Sequence, residues 1–559
     1  MRYSCNSKVV EPKVNLVIRI NMKNKIYILG CFCLLVFFQS QAKNYYVATN
    51  GNDTTGTGLA TAPYRSIIKA QLTVFAGDTV FVRGGIYKMN ETQISYTATT
   101  GPYAVIHYLN KSGTSATKRI CYWAYPGEQP VFDMSNVKPV GYRNTVFYTT
   151  GSWLHIKGFE IIGTQVTILT HTQSECFRNE GSNNIFEQLK MHDGMAIGFY
   201  LTKGSNNLVL NCDAYRNWDY LSETGKGGNT DGFGFHPAKG GTGNKISFCR
   251  AWFNSDDGYD CINANESIIF ENCWAFYNGY NTSFASEGDG NGFKAGGYGQ
   301  APVVSGLPSP IPAHTVRFCM AYRNKANGIY ANHHVVTGSK WYNNTSYRNG
   351  TNYNMLSQQI TKSAITGNDT TLDCAGINHV LHNNLSFRYS TQTETANLGT
   401  SINTYNSFST GSGVTVDAND FLSTDETLLI AARQADGSLP NTNFLKLKQG
   451  SDLIDKGMNL GFSFYGSAPD FGAFESNYAT GISNPKPESK LDFYPTLVLQ
   501  NIYFSQLAKR VEIIDIQGKL VFSSENKNQI NLANLSSGIY LIKLFGADSS
   551  IIVRKFIKN

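Results

Sequence analysis

Apolar and polar positions repeat along the middle of this chain. One phrase recurs: Ala214-Tyr215-Arg216-Asn217, Ala251-Trp252-Phe253-Asn254, Ala275-Phe276-Tyr277-Asn278, Ala321-Tyr322-Arg323-Asn324 and Ser346-Tyr347-Arg348-Asn349. The Asn-to-Asn spacings are 37, 24, 46 and 25 residues, so two are one unit of about 24 and two carry an insertion. An earlier copy, Lys190-Met191-His192-Asp193, places Asp193 in the Asn position. Cys212, Cys249, Cys273 and Cys319 each stand two residues before the Ala, with Asn344 in the fifth copy.

A unit of that length holds two or three short strands. It cannot bury its apolar face alone, but stacked units bury a continuous core. The predicted fold class is all-β, a parallel β-helix. Equivalent side chains then stack about 4.8 Å apart. Stacked Asn amides hydrogen-bond along their column at a turn, where Asn tolerates the left-handed conformation. Stacked Cys fills the interior as a small hydrophobe, which favours free buried thiols among the eight cysteines after residue 42. A β-propeller needs longer units and a blade signature, and neither is visible. Tyr45–Val47 reads as a strand. Tyr64–Phe75 reads as a helix that caps the open end through Ile67, Ile68, Leu72 and Phe75. Coils are expected from Asp78–Val82 to the Asp470–Glu475 segment.

The two ends differ from the repeat. Lys23 and Lys25 precede the apolar run Ile26–Phe38, and Ser40-Gln41-Ala42 follows, the layout of a signal peptide over residues 1–42 with a possible true start at Met22. Residues 43–475 form the predicted β-helix catalytic domain, 476–490 a linker, and 491–559 a small domain of hairpins expected to be a β-sandwich.

Composition narrows the function. Charged residues are 16% of the 559-residue chain, while Gly counts 53 and Asn 54, which fits a turn-rich all-β repeat. The net charge of +7 is carried by the ends: residues 1–42 hold six Lys/Arg and one acid, residues 484–559 ten and six. The 441 residues between are near −2, which gives nucleic-acid binding no electrostatic support. A polyanionic ligand there needs a bound cation.

Insertions on a repeat scaffold carry function. The first holds Asn229-Thr230-Asp231-Gly232-Phe233, and Ser255-Asp256-Asp257-Gly258-Tyr259-Asp260 follows one coil on. Asp231 and Asp256 are 25 residues apart, close to one coil, so Asp231, Asp256, Asp257 and Asp260 converge. Four such carboxylates repel unless a hard cation such as calcium joins them. The second insertion contains Lys294 in Gly292-Phe293-Lys294-Ala295-Gly296, 34 residues after Asp260. A partly desolvated lysine near a metal is expected to have a lowered pKa and to serve as a base.

Taken in order, the segments YYVATNGND, GDTVFVRGGIY, DGF, SDDGYD and GFKAGG resemble polysaccharide lyase family 9 over about residues 44–475. The resemblance implies a right-handed parallel β-helix that cleaves polygalacturonate or rhamnogalacturonan by β-elimination with calcium. It implies Asp231, Asp256, Asp257 and Asp260 as calcium ligands and Lys294 as the catalytic base. Thr230, where that family carries a small apolar residue, is a minor departure. Residues 484–559 resemble the C-terminal sorting domain of type IX secretion cargo. That implies contact with outer-membrane secretion machinery and a secreted or surface-attached product, expected to be monomeric. Two rivals stand beside this reading. A β-helical polygalacturonase-type hydrolase also uses paired carboxylates, but its Gly-His-Gly and Arg-Ile-Lys are absent from the sequence. A non-catalytic polysaccharide-binding β-helix would lack the aspartate–lysine set. Arg216, Arg323 and Arg348 share one repeat column and either line a groove for carboxylates or face solvent.

Overall fold

The computed structural model describes residues 42–98, 103–170, 173–222, 224–478 and most of 493–558. The predicted signal segment and most of the predicted linker lie outside the described residues.

Each coil gives one strand to each of three sheets. Among the described residues these hold twelve, ten and eleven strands. The first sheet runs from Asn44–Val47 to Ile402–Asn403, the second from Gly85–Lys88 to Leu385–Phe387. The third runs from Tyr103–Leu109 to Thr393–Ala396, with Tyr96–Thr97 added antiparallel at its edge. Pairing within the coils is parallel and in register. In the third sheet Phe147, Phe177, Phe199, Phe233, Tyr259 and Phe293 therefore fall in one buried column. Ring centroids in it are 4.7 Å apart between Tyr259 and Phe293 and 4.8 Å between Phe147 and Phe177. Truncating one such ring costs roughly 3–5 kcal/mol.

The Asn column forms as expected. Nδ2 of Asn217, Asn254, Asn278 and Asn324 each donates to Oδ1 of the next Asn, the last to Asn349, at 2.9–3.1 Å. Two details differ from the sequence reading. The left-handed residue is the one before each Asn: Arg216, Phe253, Tyr277, Arg323 and Arg348 have φ between 48° and 61°. And Asp193 is not in the column. Lys190–His192 pairs with Asp213–Tyr215, so Gly194 aligns with Asn217, because that coil is one residue shorter than 24. The Cys column passes at Asn344 into a further amide ladder, Asn344–Asn384–Asn406, with steps of 3.0 and 2.8 Å. The eight cysteines among the described residues are unpaired, and seven are buried.

The cap helix is shorter than predicted, Ile67–Thr73, started by Ser66 Oγ accepting from Lys69 N. It buries Ile67, Ala70 and Gln71, while Leu72 and Phe75 stay 67% and 71% exposed. The first sheet already begins at Asn44, ahead of Asp78. The coils also end earlier than Asp470–Glu475. After Asn403 the chain runs back across the second sheet, for a physical reason. That sheet presents an outer aromatic column, Tyr215, Trp252, Phe276, Tyr322, Tyr347 and Phe387, which water would otherwise cover. Phe421, Leu429, Phe444, Leu447, Leu453 and Phe471 pack over it. Arg433 and Arg250 both clasp the buried Asp213 and fasten the return.

The C-terminal strands form a separate sheet around Val498, Ile502, Val511, Ile513, Ile542 and Leu544. The long strand Asn501–Asp515 pairs antiparallel with Leu520–Asn531 on one side and Gly538–Phe545 on the other. Its pairing with Leu520–Asn531 shifts register between Tyr503 and Ala508, which bends the sheet around its core.

Candidate functional site

A four-fold local motif builds the site. Asp231-Gly232-Phe233, Asp257-Gly258-Tyr259, Asn291-Gly292-Phe293 and Asn327-Gly328-Ile329 enter the third sheet one after another in register. The ring or Ile faces the core. The glycine lies against the Asn ladder: a Cβ on Gly258 would sit 2.8 Å from Asn278 Nδ2 and 2.8 Å from Gly292 O. Only glycine lets the chain approach so closely. The acid or amide then stands at the outer corner. Asp231 Oδ1 accepts from Asp257 N at 3.2 Å, and Asp257 Oδ1 accepts from Asn291 N and Nδ2 at 2.6 and 2.8 Å. Asn291 Oδ1 accepts in turn from Asn327 Nδ2 at 2.7 Å. Asp231 is thus stacked on Asp257, 26 residues on, and Asp256 joins from the side. Asp256 Oδ1 accepts from Asp289 N at 3.1 Å, which ties the second insertion to the site. Ser255 Oγ donates to Gly227 O at 2.8 Å and ties the first.

Asp231, Asp256 and Asp257 each offer a carboxylate oxygen, and these lie within 4.8 Å of one another, all three residues buried. Asp260 and Lys294 follow on the strands themselves and pair in register. Lys294 Nζ lies 3.0 Å from Asp257 Oδ2 and 3.1 Å from Asp260 Oδ2, with 13% of its side chain exposed. The five residues singled out in the sequence therefore meet, with Asp260 beside the lysine rather than within the trio.

Charge is unbalanced here. Burial first, then the neighbouring carboxylates, pushes Asp231 and Asp256 well above the ordinary carboxylate range. Burial raises Asp257 too, partly offset by Lys294. Burial alone would lower Lys294, but Asp257, Asp260, Asp256 and Asp231 together outweigh it and hold the ammonium far above its usual range. That is opposite to the lowered pKa expected from the sequence. The expectation assumed a metal beside the amine, whereas acids alone stabilise its charge. Asp257 Oδ2 is buried and makes no well-directed hydrogen bond. Three buried carboxylates that share a single ammonium are a donor set that suits a hard divalent cation.

Sequence reasoning missed the neighbours. His236 follows Phe233–Phe235, with its ring 5.0 Å from Tyr200. Burial holds it below the ordinary imidazole range, and its buried Nε2 makes no hydrogen bond, so a neutral ring stands beside Asp260 and Lys294. Asn291 and Asn327 were also missed; the recurring Asx-Gly-apolar phrase was the available signal. The arginines of the column are paired, and Arg216 also lines a cavity with Asp193, Trp218 and Phe253. Arg216 pairs with Asp193, and Arg323 and Arg348 meet Glu426 on the returning chain.

Fold and site define a parallel β-helix with one buried acid–lysine centre. The model of the Pel9A-like right-handed β-helix region matches residues 45–384, and that of a secretion-system C-terminal sorting domain matches 495–559. Pectate lyase L of Dickeya dadantii (strain 3937) is 33% identical over 443 residues, 78% of this chain and 92% of that protein. A solved rhamnogalacturonan lyase is 44% identical with a TM-score of 0.68, over 73% of this chain and 97% of that one. The structure of pectate lyase Pel9A is 32% identical with a TM-score of 0.61, over 78% and 97%. The chain belongs to the Pel9A-like right-handed β-helix family. It is a polysaccharide lyase of the pectic class, and its sorting domain marks it for secretion or attachment to the cell surface. Among the described residues no helix is long and apolar enough to cross a membrane.

Proposed function

We propose that this protein is a calcium-dependent lyase that cleaves uronate-containing pectic backbones by β-elimination, with Lys294 as the base. The observation that carries the reading is the buried trio Asp231, Asp256 and Asp257 in contact with a lysine. Asp231, Asp256, Asp257 and Asp260 would hold calcium, which would supply the positive charge that draws in a uronate carboxylate and acidifies the sugar's C5 proton. Carboxylates engaged in this way would no longer hold Lys294 protonated. Its neutral amine takes the C5 proton. The electron pair left on C5 forms the C4–C5 double bond, the C4–O bond breaks with its electrons on the departing oxygen, that oxygen takes a proton from solvent, and a 4,5-unsaturated sugar remains. His236, its ring 5.0 Å from Tyr200, stands beside the lysine–aspartate pair.

Rhamnogalacturonan is the first substrate to test, since the structure 44% identical to this chain carries that activity in its name. Polygalacturonate is the second. The ultraviolet absorbance of the unsaturated product, followed with calcium and with chelator, tests the reading. Growth that needs calcium supports it. New reducing ends without absorbance would make the protein a hydrolase instead.

A further inference from the structure

The strand register of the third sheet places one outward column beneath the whole length of the site. It reads Tyr108, Tyr148, Arg178, Tyr200, Gly234, Asp260, Lys294, Tyr330 and Asn354, one residue per coil. Each follows the inward residue by one position, so it faces away from the core. Arg178 lies four strand steps from Lys294, roughly 19 Å. One hexose of an extended chain advances about as far as one strand spacing, so the two are some four sugars apart.

At Arg178 the column opens into a cavity of about 240 Å³, lined by Tyr96, Tyr103, Tyr148, Arg178, Glu180 and Lys203. Its aromatic wall is a continuous stack: Tyr96 on Tyr108 at 4.8 Å and Tyr108 on Tyr148 at 5.4 Å. The Arg178 guanidinium sits between the rings of Tyr103 and Tyr148, 5.0 and 5.6 Å from their centroids. Glu175 and Glu180 orient it through contacts of 3.1–3.3 Å, and Lys203 Nζ meets Glu180 at 2.8 Å. Arg143 Nη1 donates to Tyr103 Oη at 3.1 Å. Arg178 and Lys203 thus bring two cations to the cavity, held in place by Glu175 and Glu180. Stacked rings offer a face to the C–H side of a sugar, and an oriented guanidinium offers a fork to a carboxylate.

We propose that this cavity is a distal subsite for a uronate-bearing sugar, reached by the same polysaccharide chain that is cut at Lys294, with Tyr200 as the floor between. The proposal rests on the lyase reading given above. It makes the enzyme selective for long chains: a polymer engages both ends at once, whereas a short oligomer over the aspartate–lysine end does not.

The test compares short and long pectic oligomers with the full chain and two variants, Tyr96→Ala and Arg178→Gln. Tyr96 stands on the rim, outside the ion pairs, so its variant keeps the buried Glu175–Arg178 contact. Expected is a fall of about tenfold in kcat/KM on long oligomers with little change on short ones. Equal loss on both lengths, or none on either, would overturn the subsite. Absence of lyase activity in the unaltered protein would count against the lyase reading alone. In that case calorimetric affinity for a long oligogalacturonide decides: weaker binding by Tyr96→Ala supports the subsite, and unchanged binding removes it.

Discussion

Two columns of buried polar side chains run side by side along one corner of this β-helix, and they solve the same problem differently. The Asn217–Asn349 column is neutral, and every amide donates to the next and accepts from the one before. It satisfies itself. The neighbouring column begins with the same amide logic, Asn327 to Asn291 to Asp257, and then changes to Asp257 and Asp231. A carboxylate accepts but cannot donate, so the stack cannot continue on its own. The difference locates the function. Where amides stack, the protein is building a scaffold; where acids replace them beside Lys294, it has left a demand for positive charge.

The sharpest break of this comparison is Lys294→Ala. Formation of unsaturated product should fall by roughly 10²–10⁴-fold, the range for loss of a general base. Calcium affinity should hold or rise, because the ammonium no longer competes for Asp257 and Asp260. Retained turnover would remove the base assignment. Next comes Asp257→Asn, which extends the amides by one position and leaves Asp231 as the one acid of the column. Calcium affinity by calorimetry should drop about a hundredfold, the upper end of what altered metal surroundings cost. The cation-free fold should not suffer, since Asn291 already shows that an amide fits this position.

The same acids set a pH dependence. Asp231, Asp256 and Asp257 are held above the ordinary value of 3.8 when folded. Their contribution to cation-free stability is present below that value and is lost as pH rises through their folded range. Lys294, also raised, contributes in full below its ordinary 10.5 and loses that contribution only as pH climbs beyond it, so it adds no slope near neutral pH. Thermal midpoints in chelator should therefore fall from mildly acidic to neutral pH, and saturating calcium should flatten the slope. A slope that calcium does not change would mean that the trio holds no cation.

On the scaffold side, Asn278→Ala removes the acceptor shared by Asn254 N and Nδ2 and one of the two donors to Asn324 Oδ1, the backbone N of residue 278 being the other. The cost should be about 2 kcal/mol in unfolding free energy, with calcium affinity unchanged. A matching loss of calcium binding would mean that the two columns are not separate devices.

Much of this was legible in the sequence, because a β-helix writes its register as a repeat. The Asn and Cys columns, Asp231, Asp256, Asp257, Asp260 and Lys294 all stand at coil spacings. What was illegible follows from the same cause. A shift of one residue per coil is invisible when units vary in length, so Asp193 was placed in the Asn column and Asp231 was matched to Asp256 instead of Asp257. The return of residues after Asn403 over the second sheet has no period at all. Its signal was the outer Tyr215–Phe387 aromatic column, too apolar for a solvent face. The pKa direction of Lys294 depends on three-dimensional balance between burial and four acids, which no spacing reports.

The smallest effect tests whether any crowded acids would behave like the trio. Asp470 and Glu475 close the returning segment as a second acidic pair, but backbone amides serve them. Glu475 accepts from Tyr465 N and Asp470 N at 3.1 Å each, and Asp470 from Asp455 N and Ser476 N at 2.9 and 2.7 Å. Burial, then Asp470, pushes Glu475 up from 4.5 to about 7. Folding therefore favours its protonated form. Its stabilising contribution is whole below pH 4.5 and is lost as pH rises through about 7. The residue is only half-buried, so after solvent screening the change is about 1 kcal/mol. Glu475→Gln should remove that part of the slope when calcium saturates the trio, and calcium alone should not. If calcium also erased the Glu475 contribution, acids satisfied by amides and acids left for a cation would no longer be distinguishable, and the contrast between the two columns would lose its meaning.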